Sequence, residues 1–422
     1  MLCCSVPTGI RKVADRFKDL CSGRLELYNN QCALLCLFLF GLDTLSATVR
    51  ACPWSHSVSE LSRAIDGIDG NRSMRRLRQR ILRHYKGDLN KAEFCLAIDD
   101  TANPRYGKTI FRCGSWGGSG GMYFGQKIIV LVLVDIKSDF ALPLSFKFAT
   151  KKSDPKYKSA LDFSIDMLEE AKVSGFGGLP VVCDSWFDSA DFMRKIMALG
   201  MTYAGEIKAS RKVRSNPGKY VSWVKPKELF SKLPRIKTIT RCDRQEIKKG
   251  KKSPKSIATS PIHIRCLKKT LRGIAVYNRK NGIKAFGYYV STDLSMTGAK
   301  LWELARARWR IERLFRDLKQ NLSFGRLPCG GEAGSDVAVV IPFLLLVSLR
   351  LDPPQNWGLG KADVIGTMVR QIREISLEKS IVDILAKPKS RVVVQLKGRR
   401  SKMRVAKKPV NRPAEGSWAL QG

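Results

Sequence analysis

The 422-residue chain carries 76 Lys and Arg against 37 Asp and Glu, a formal net charge of +39, with a pI near 10.1. A charge excess of that size draws polyanions at long range and releases counterions on binding, so nucleic acid is the expected partner, without sequence specificity from charge alone. Anionic membranes are the rival, but the longest apolar stretches fall short of the roughly 20 residues of a spanning helix. Ala33 to Leu42 is stopped by Asp43 and Val337 to Leu349 contains Pro342, so both read as buried helices. The N-terminus lacks the charged, apolar and small-residue sections of a secretory signal. The 12 Cys are dispersed, several in apolar runs around Cys36, Cys95 and Cys183. Such thiols suit the reduced cytoplasm. Zinc fails on spacing, because Cys3-Cys4 and Cys32-x3-Cys36 have no second pair and His56, His84 and His263 are isolated. A catalytic Cys–His pair is no better supported.

Residues 1–90 mix apolar and basic positions without strand-like alternation and read as a small helical domain. Near its end SMRRLRQRILRHYKGD contributes Arg75, Arg76, Arg78 and Arg80, flanked by Arg63, Arg72 and Arg83. A solvated helix face carries charges of this kind too. The absence of acids from Arg72 to Lys86 tips the balance toward phosphate contact.

From residue 91 the periodicity changes. Phe94 to Thr101 is an apolar strand ending in Asp99-Asp100-Thr101, and the glycine-rich stretch from Gly114 to Gly125 follows as a flexible turn. That stretch lacks the G-x4-G-K-[ST] spacing of a nucleotide cradle. Gln126 to Asp135 and Ala141 to Phe148 predict a hairpin or meander, and Asp162 to Lys172 a helix with Leu161, Ile165 and Leu168 on one side. Leu179 to Asp184 is a second short strand ending in a carboxylate, followed by Ser185-Trp186-Phe187-Asp188. Either Asp cluster alone is weak, since strands often end in Asp at a turn.

The segment 207–290 is basic and strand-like, with Lys-Lys-Gly-Lys-Lys at 248–252 and strands at His263–Cys266, Gly273–Tyr277 and Phe286–Val290. It offers a groove for DNA, in which Trp223 or Tyr277 could stack on a base, although either aromatic is more often core. Residues 291–385 begin with one helix, Leu301 to Gln320, in which Arg308, Glu312 and Lys319 follow as R-x3-E-x6-K. At about 100° per residue, Glu312 lies about 40° and Lys319 about 20° round from Arg308, a single narrow face. Leu304, Ile311, Leu314, Phe315 and Leu318 form an adjacent apolar stripe. An ordinary charged helix with i,i+4 ion pairs shows the same pattern. Residues 386–422 hold, from Lys387, eleven Lys/Arg and one acid, Glu415, as in a mobile basic arm. Two strand-end carboxylates and a helical Glu make a set able to hold two Mg²⁺ about 3.5–4 Å apart for phosphoryl transfer.

The Leu-Ala-Ile-Asp-Asp-Thr strand, the Val-Val-Cys-Asp strand and Arg-Trp-Arg-Ile-Glu-Arg-Leu-Phe-Arg-Asp-Leu-Lys occur in an order that resembles the DDE transposases of bacterial insertion sequences. The resemblance covers roughly Ala92 to Ser348. It implies a fold of the α/β (α+β) class: a ribonuclease H-like catalytic core (91–206 and 291–385), an inserted β-rich domain (207–290), and an N-terminal helical domain for the element's DNA ends. It implies cut-and-paste chemistry on double-stranded DNA, with strand cleavage and transfer of the 3′-OH to a target, by a homodimer assembled on two ends. Asp100, Asp184 and Glu312 are the expected metal ligands, for two Mg²⁺ with Mn²⁺ able to substitute. Asp99 is the alternative to Asp100, since alternation lets only one of them face the metals. Arg308 and Lys319 are expected near bound phosphates. The family's signature has a Tyr three residues before the Arg, and here Ala305 stands in that place. A ribonuclease H-like nuclease without strand transfer, or an inactive DNA-binding derivative, are the alternatives.

Overall fold

A computed structural model describes residues 8–17, 28–52, 57–90, 93–107, 109–118, 121–215, 222–238, 255–265, 267–278, 284–327, 329–352 and 364–385. The basic run at 248–252 and the tail at 386–422 lie outside them. Helices α1 (Thr8–Phe17), α2 (Tyr28–Phe40), α3 (Leu45–Ala51), α4 (Val58–Asp66) and α5 (Gly70–His84) come first. Strands β1 (Phe94–Pro104), β2 (Gly114–Gly118), β3 (Gly121–Asp135) and β4 (Phe140–Phe148) precede α6 (Ala160–Ala171), β5 (Val181–Cys183), α7 (Ala190–Ala198) and β6 (Tyr203–Ile207). Next are β7 (Val213–Arg214), α8 (Pro226–Phe230), β8 (Ile236–Thr238), β9 (Lys255–Ile264), β10 (Thr270–Tyr277) and β11 (Ala285–Ser291). Helices α9 (Gly298–Arg308), α10 (Arg310–Asn321), α11 (Glu332–Leu351) and α12 (Ile365–Leu385) complete the described chain.

The strands form one mixed sheet in the order β2-β3-β1-β5-β6-β11-β10-β9-β7, with β4 on β3 and β8 on β9. β1 is antiparallel to β3 but parallel to β5, and β5 is parallel to β6. β1 is buried from Phe94 through Ile98, and β3 is fully buried from Ile128 to Val134. Continuous apolar runs of this kind suit strands covered on both faces. The main helices start where a side chain accepts an otherwise orphaned N–H: Asp69 from Arg72 for α5, Ser159 from Asp162 for α6, Thr297 from Lys300 for α9.

The structure refines four expectations. The glycine-rich stretch is not a free turn: Gly114 to Gly118 pair with Gly121 to Gly125 as a hairpin. The strands of the basic segment continue the central sheet: β11 pairs with β6 and carries β10 and β9. The predicted single helix over 301–320 is two, broken at Trp309 between α9 and α10, although Leu304, Ile311, Leu314, Phe315 and Leu318 are all buried as the stripe requires. The Val337 run is a buried helix as expected, but a longer one than its apolar stretch suggested. It belongs to α11, which is long and apolar enough to cross a membrane and lies mostly buried inside the protein, against α1, α4, α5 and β4.

Proline inside a helix leaves the carbonyl four residues back without its donor. That carbonyl, Ala338 O, instead accepts the N–H of Gly325 at 3.0 Å. Gly325 has φ +73°, and a Cβ there would meet Asn103 Oδ1 at 2.3 Å. Asn103 is itself buried and donates to Gln126 Oε1 at 3.0 Å, so it has little room to give. Gly325→Ala is therefore expected to destabilise the fold by about 2 kcal/mol or more. A fall in the urea midpoint checks it, and an unchanged midpoint would show that this crossing relaxes freely.

Candidate active site

The parallel strands place their acids. Leu96 pairs with Val181 and Cys183 with Gly205, so the same register carried one step past the apolar core sets Asp99, Asp184 and Glu206 in a row across the ends of β1, β5 and β6. Burial pushes the Asp99 carboxyl up to about 7, with Arg308 pulling it down and Asp184 adding to the rise. Glu206 is likewise raised by burial, with Arg308 lowering it and Asp184 raising it. These carboxylates are half withdrawn from water and repel one another.

Arg308, the last residue of α9, answers that charge. Its Nη1 donates to Asp99 Oδ2 at 3.0 Å and its Nη2 to Glu312 Oε1 at 3.2 Å, so one guanidinium joins strand to helix. The Arg308 and Asp99 side chains are 12% and 17% exposed, whereas Glu312 keeps 57% of its surface in solvent. The turn at Trp309 leaves the i,i+4 pair intact. Lys319 does not join this cluster: its Nζ donates to the Ala102 carbonyl at 2.7 Å, further along β1, and burial lowers its pKa.

Asp100 faces the other way. As the neighbour of Asp99 on a strand it projects from the opposite face, where Lys127 Nζ lies 3.1 Å from its Oδ2. Burial raises the Asp100 pKa, with Lys127 opposing and Asp184 adding to the rise. Asp184 caps the short 3₁₀ turn Ser185–Phe187, its Oδ1 accepting the Trp186 N–H at 2.9 Å. Asp188, also quoted in the second motif, is committed elsewhere: its side chain is buried and its Oδ2 accepts from Arg211 Nε at 2.6 Å.

Among the described residues no group of three or more His, Cys, Asp and Glu side chains is gathered closely enough to hold a metal ion. The chemistry of the donors nevertheless fits a hard divalent cation. Asp99, Asp184 and Glu206 offer only carboxylate oxygens, two of them disfavoured in the charged form by burial and by one another. Arg308 now supplies the positive charge such a set requires.

The model of the transposase DDE domain family matches residues 95–347, which span β1 to α11 and so include every acid just described. The chain belongs to that family. No curated protein sequence matches it. Among solved structures, it is similar to a piggyBac transposase synaptic complex with hairpin DNA, at 11% identity, with 97% of this chain and 82% of that one covered and a TM-score of 0.45.

In this DDE-domain chain Ala305 is buried on α9. Tyr289 of β11 is the cross-strand partner of Glu206. Burial raises its pKa, Glu206 adds to the rise and Arg308 opposes it. Glu206, Lys127 and Tyr289 went unnoticed in the sequence. The only local signal was a short apolar strand with an acid near its end, Tyr203 to Ile207, and the pairing of β6 with β5 was not legible.

The basic helix α5 divides. Arg72, Arg75 and Arg83 are exposed, while Arg76 and Arg80 are half-buried. Arg78 is not a surface residue, contrary to expectation. It is buried, donating from Nε to Ser174 Oγ and from Nη1 to the Leu144 carbonyl, both at 3.0 Å, with Glu170 Oε2 3.7 Å away. Met74, Leu77 and Ile81 carry that side of the helix into the core, and Arg78 lies on the same side.

Proposed function

We propose that this transposase-family chain cuts DNA at the ends of a mobile element and transfers the freed 3′-OH into target DNA, with Asp99, Asp184 and Glu312 as its acidic triad. The observation that carries the reading is Arg308, which joins Asp99 to Glu312 beside Asp184 at the ends of adjacent parallel strands. Asp99 replaces Asp100 in the expected set because its side of β1 faces Arg308, whereas Asp100 is held by Lys127. The order β4-β3-β1-β5-β6, antiparallel and then parallel, supports a ribonuclease H-like core, with β9 to β11 as the β-rich addition.

Members of the DDE family use divalent metal ions, generally Mg²⁺. Asp99, Asp184 and Glu312 would hold them here, and Glu206 is close enough to Asp184 to add to the field. When bound, such ions lower the pKa of a water or a 3′-OH and stabilise the leaving oxygen. The chain's own residues do the rest. Arg308, freed from the two carboxylates, turns its guanidinium to a phosphate, for which its planar fork is suited. Lys319 holds the end of β1 by its carbonyl and keeps a positive charge beside the strand. The exposed face of α5 and the basic segments outside the described residues track the DNA backbone, with an affinity that falls steeply as salt rises. Self-repulsion among so many cations opposes pairing of two chains until DNA neutralises them, so the working homodimer assembles on two ends.

The test is to incubate the purified full chain with Mg²⁺ and linear DNA bearing the repeats that flank its own gene, and to map products at nucleotide resolution. Cuts at both repeats and joined 3′ ends are expected. Cuts without joining would return the chain to a nuclease, and no cuts at the repeats would end the proposal.

A further inference from the structure

Trp186 leaves 48% of its surface in solvent, although it follows Asp184 by two residues and is tied to it by the 2.9 Å hydrogen bond from its own N–H. Its neighbour Phe187 is fully buried and meets it edge-on, with ring centroids 4.9 Å apart at 78°, which anchors the turn that carries the indole. Lys127 Nζ stands 5.0 Å from the indole centroid and is held in turn 3.1 Å from Asp100 Oδ2. The ring is thus held on the turn that follows Asp184, with an ammonium 5.0 Å from its centroid and about half of the residue's surface in solvent. An indole left open in this way offers a π-face, the element with which proteins hold nucleobases without reading their identity.

The base must be unpaired. In a duplex both faces of each base are covered by its stacked neighbours, and only a frayed, flipped or overhanging base can present one. The Lys127 ammonium adds cation–π attraction to the ring and a positive charge beside a bound nucleotide.

We propose that Trp186, with Lys127 held by Asp100, is a stacking platform for one unpaired nucleobase next to the scissile strand. The proposal rests on the DNA-cutting function above, and it gives the pair Asp100–Lys127 a task separate from the chemistry of Asp99. Two sources of such a base share this chemistry: the frayed end of the element and a distorted target duplex.

The experiment measures binding of the full chain, with Ca²⁺ in place of Mg²⁺, to three labelled duplexes of one sequence: blunt, with a three-nucleotide overhang, and with an internal three-nucleotide bubble. A 2-aminopurine in the unpaired stretch reports stacking by its quenching. The parent is expected to favour the overhang or the bubble over the blunt duplex by about tenfold, within the range of one base–aromatic stack. Whichever is favoured identifies the source. Trp186→Ala is expected to bring the ratio close to one and to relieve the quenching, while Trp186→Phe, which keeps a ring, restores most of both. A parent with no preference, or Trp186→Ala with an undiminished ratio, overturns the platform and leaves the transposase reading standing. Failure to bind any of the three duplexes overturns both.

Discussion

Asp99→Asn is expected to lower strand cleavage by ~10³ or more, equivalent to about 4 kcal/mol of barrier, while Asp100→Asn stays within about tenfold of the parent. Asn keeps the size of the side chain and removes only its charge, so DNA binding by the many Lys and Arg should persist within about tenfold in both variants. Asp184→Asn and Glu312→Gln should match Asp99→Asn. The comparison is sharp because the two Asp are neighbours in sequence and opposed in space: one meets Arg308 at 3.0 Å, the other Lys127 at 3.1 Å. Single-turnover cleavage of an end-bearing duplex measures it. If Asp100→Asn proves the inactive variant, the triad is built from the other face of β1 and the assignment of Asp99 falls.

Arg308→Ala should lower the stability of the metal-free protein by roughly 3 kcal/mol, the scale seen when one partner of a buried ion pair is removed. The loss falls at the low end of that scale because Asp99 can accept a proton near neutral pH and Glu312 stays 57% exposed. Arg308→Lys should recover only part of the loss, since a single ammonium cannot fork between two carboxylates as the guanidinium does. Millimolar Mg²⁺ should restore most of the stability of Arg308→Ala without restoring cleavage, because the cation replaces the charge but not the phosphate contact. Thermal denaturation with EDTA and with Mg²⁺ gives the comparison. Equal melting of parent and variant in EDTA would show the Arg308 bridge to be inert in the resting protein.

Much of the architecture was legible in local pattern. Apolar runs at Phe94 to Ile98 and Ile128 to Val134 announce buried strands because both faces of a central strand must be covered. The stripe from Leu304 to Leu318 announces a helix packed on a core, and a net charge of +39 announces a polyanionic partner. The order of the three acidic motifs pointed to the DDE family that the match over 95–347 then established.

What the sequence could not decide was which way a residue faces. Asp99 and Asp100 have the same neighbours in the chain, and only the pairing of β1 with β3 on one side and β5 on the other gives one to Arg308 and the other to Lys127. Arg78 looks like any other cation of α5 until α5 is set against β4 and the turn after α6, where its guanidinium finds the Leu144 carbonyl and Ser174. Glu206 enters the acidic row only because β6 is parallel to β5, a long-range pairing with no local signature. Composition and periodicity determine which segments become strands or helices and which face is apolar. The meeting of charged groups from distant segments is decided by packing, because a carboxylate or guanidinium tolerates burial only where a partner from elsewhere in the chain is brought to it.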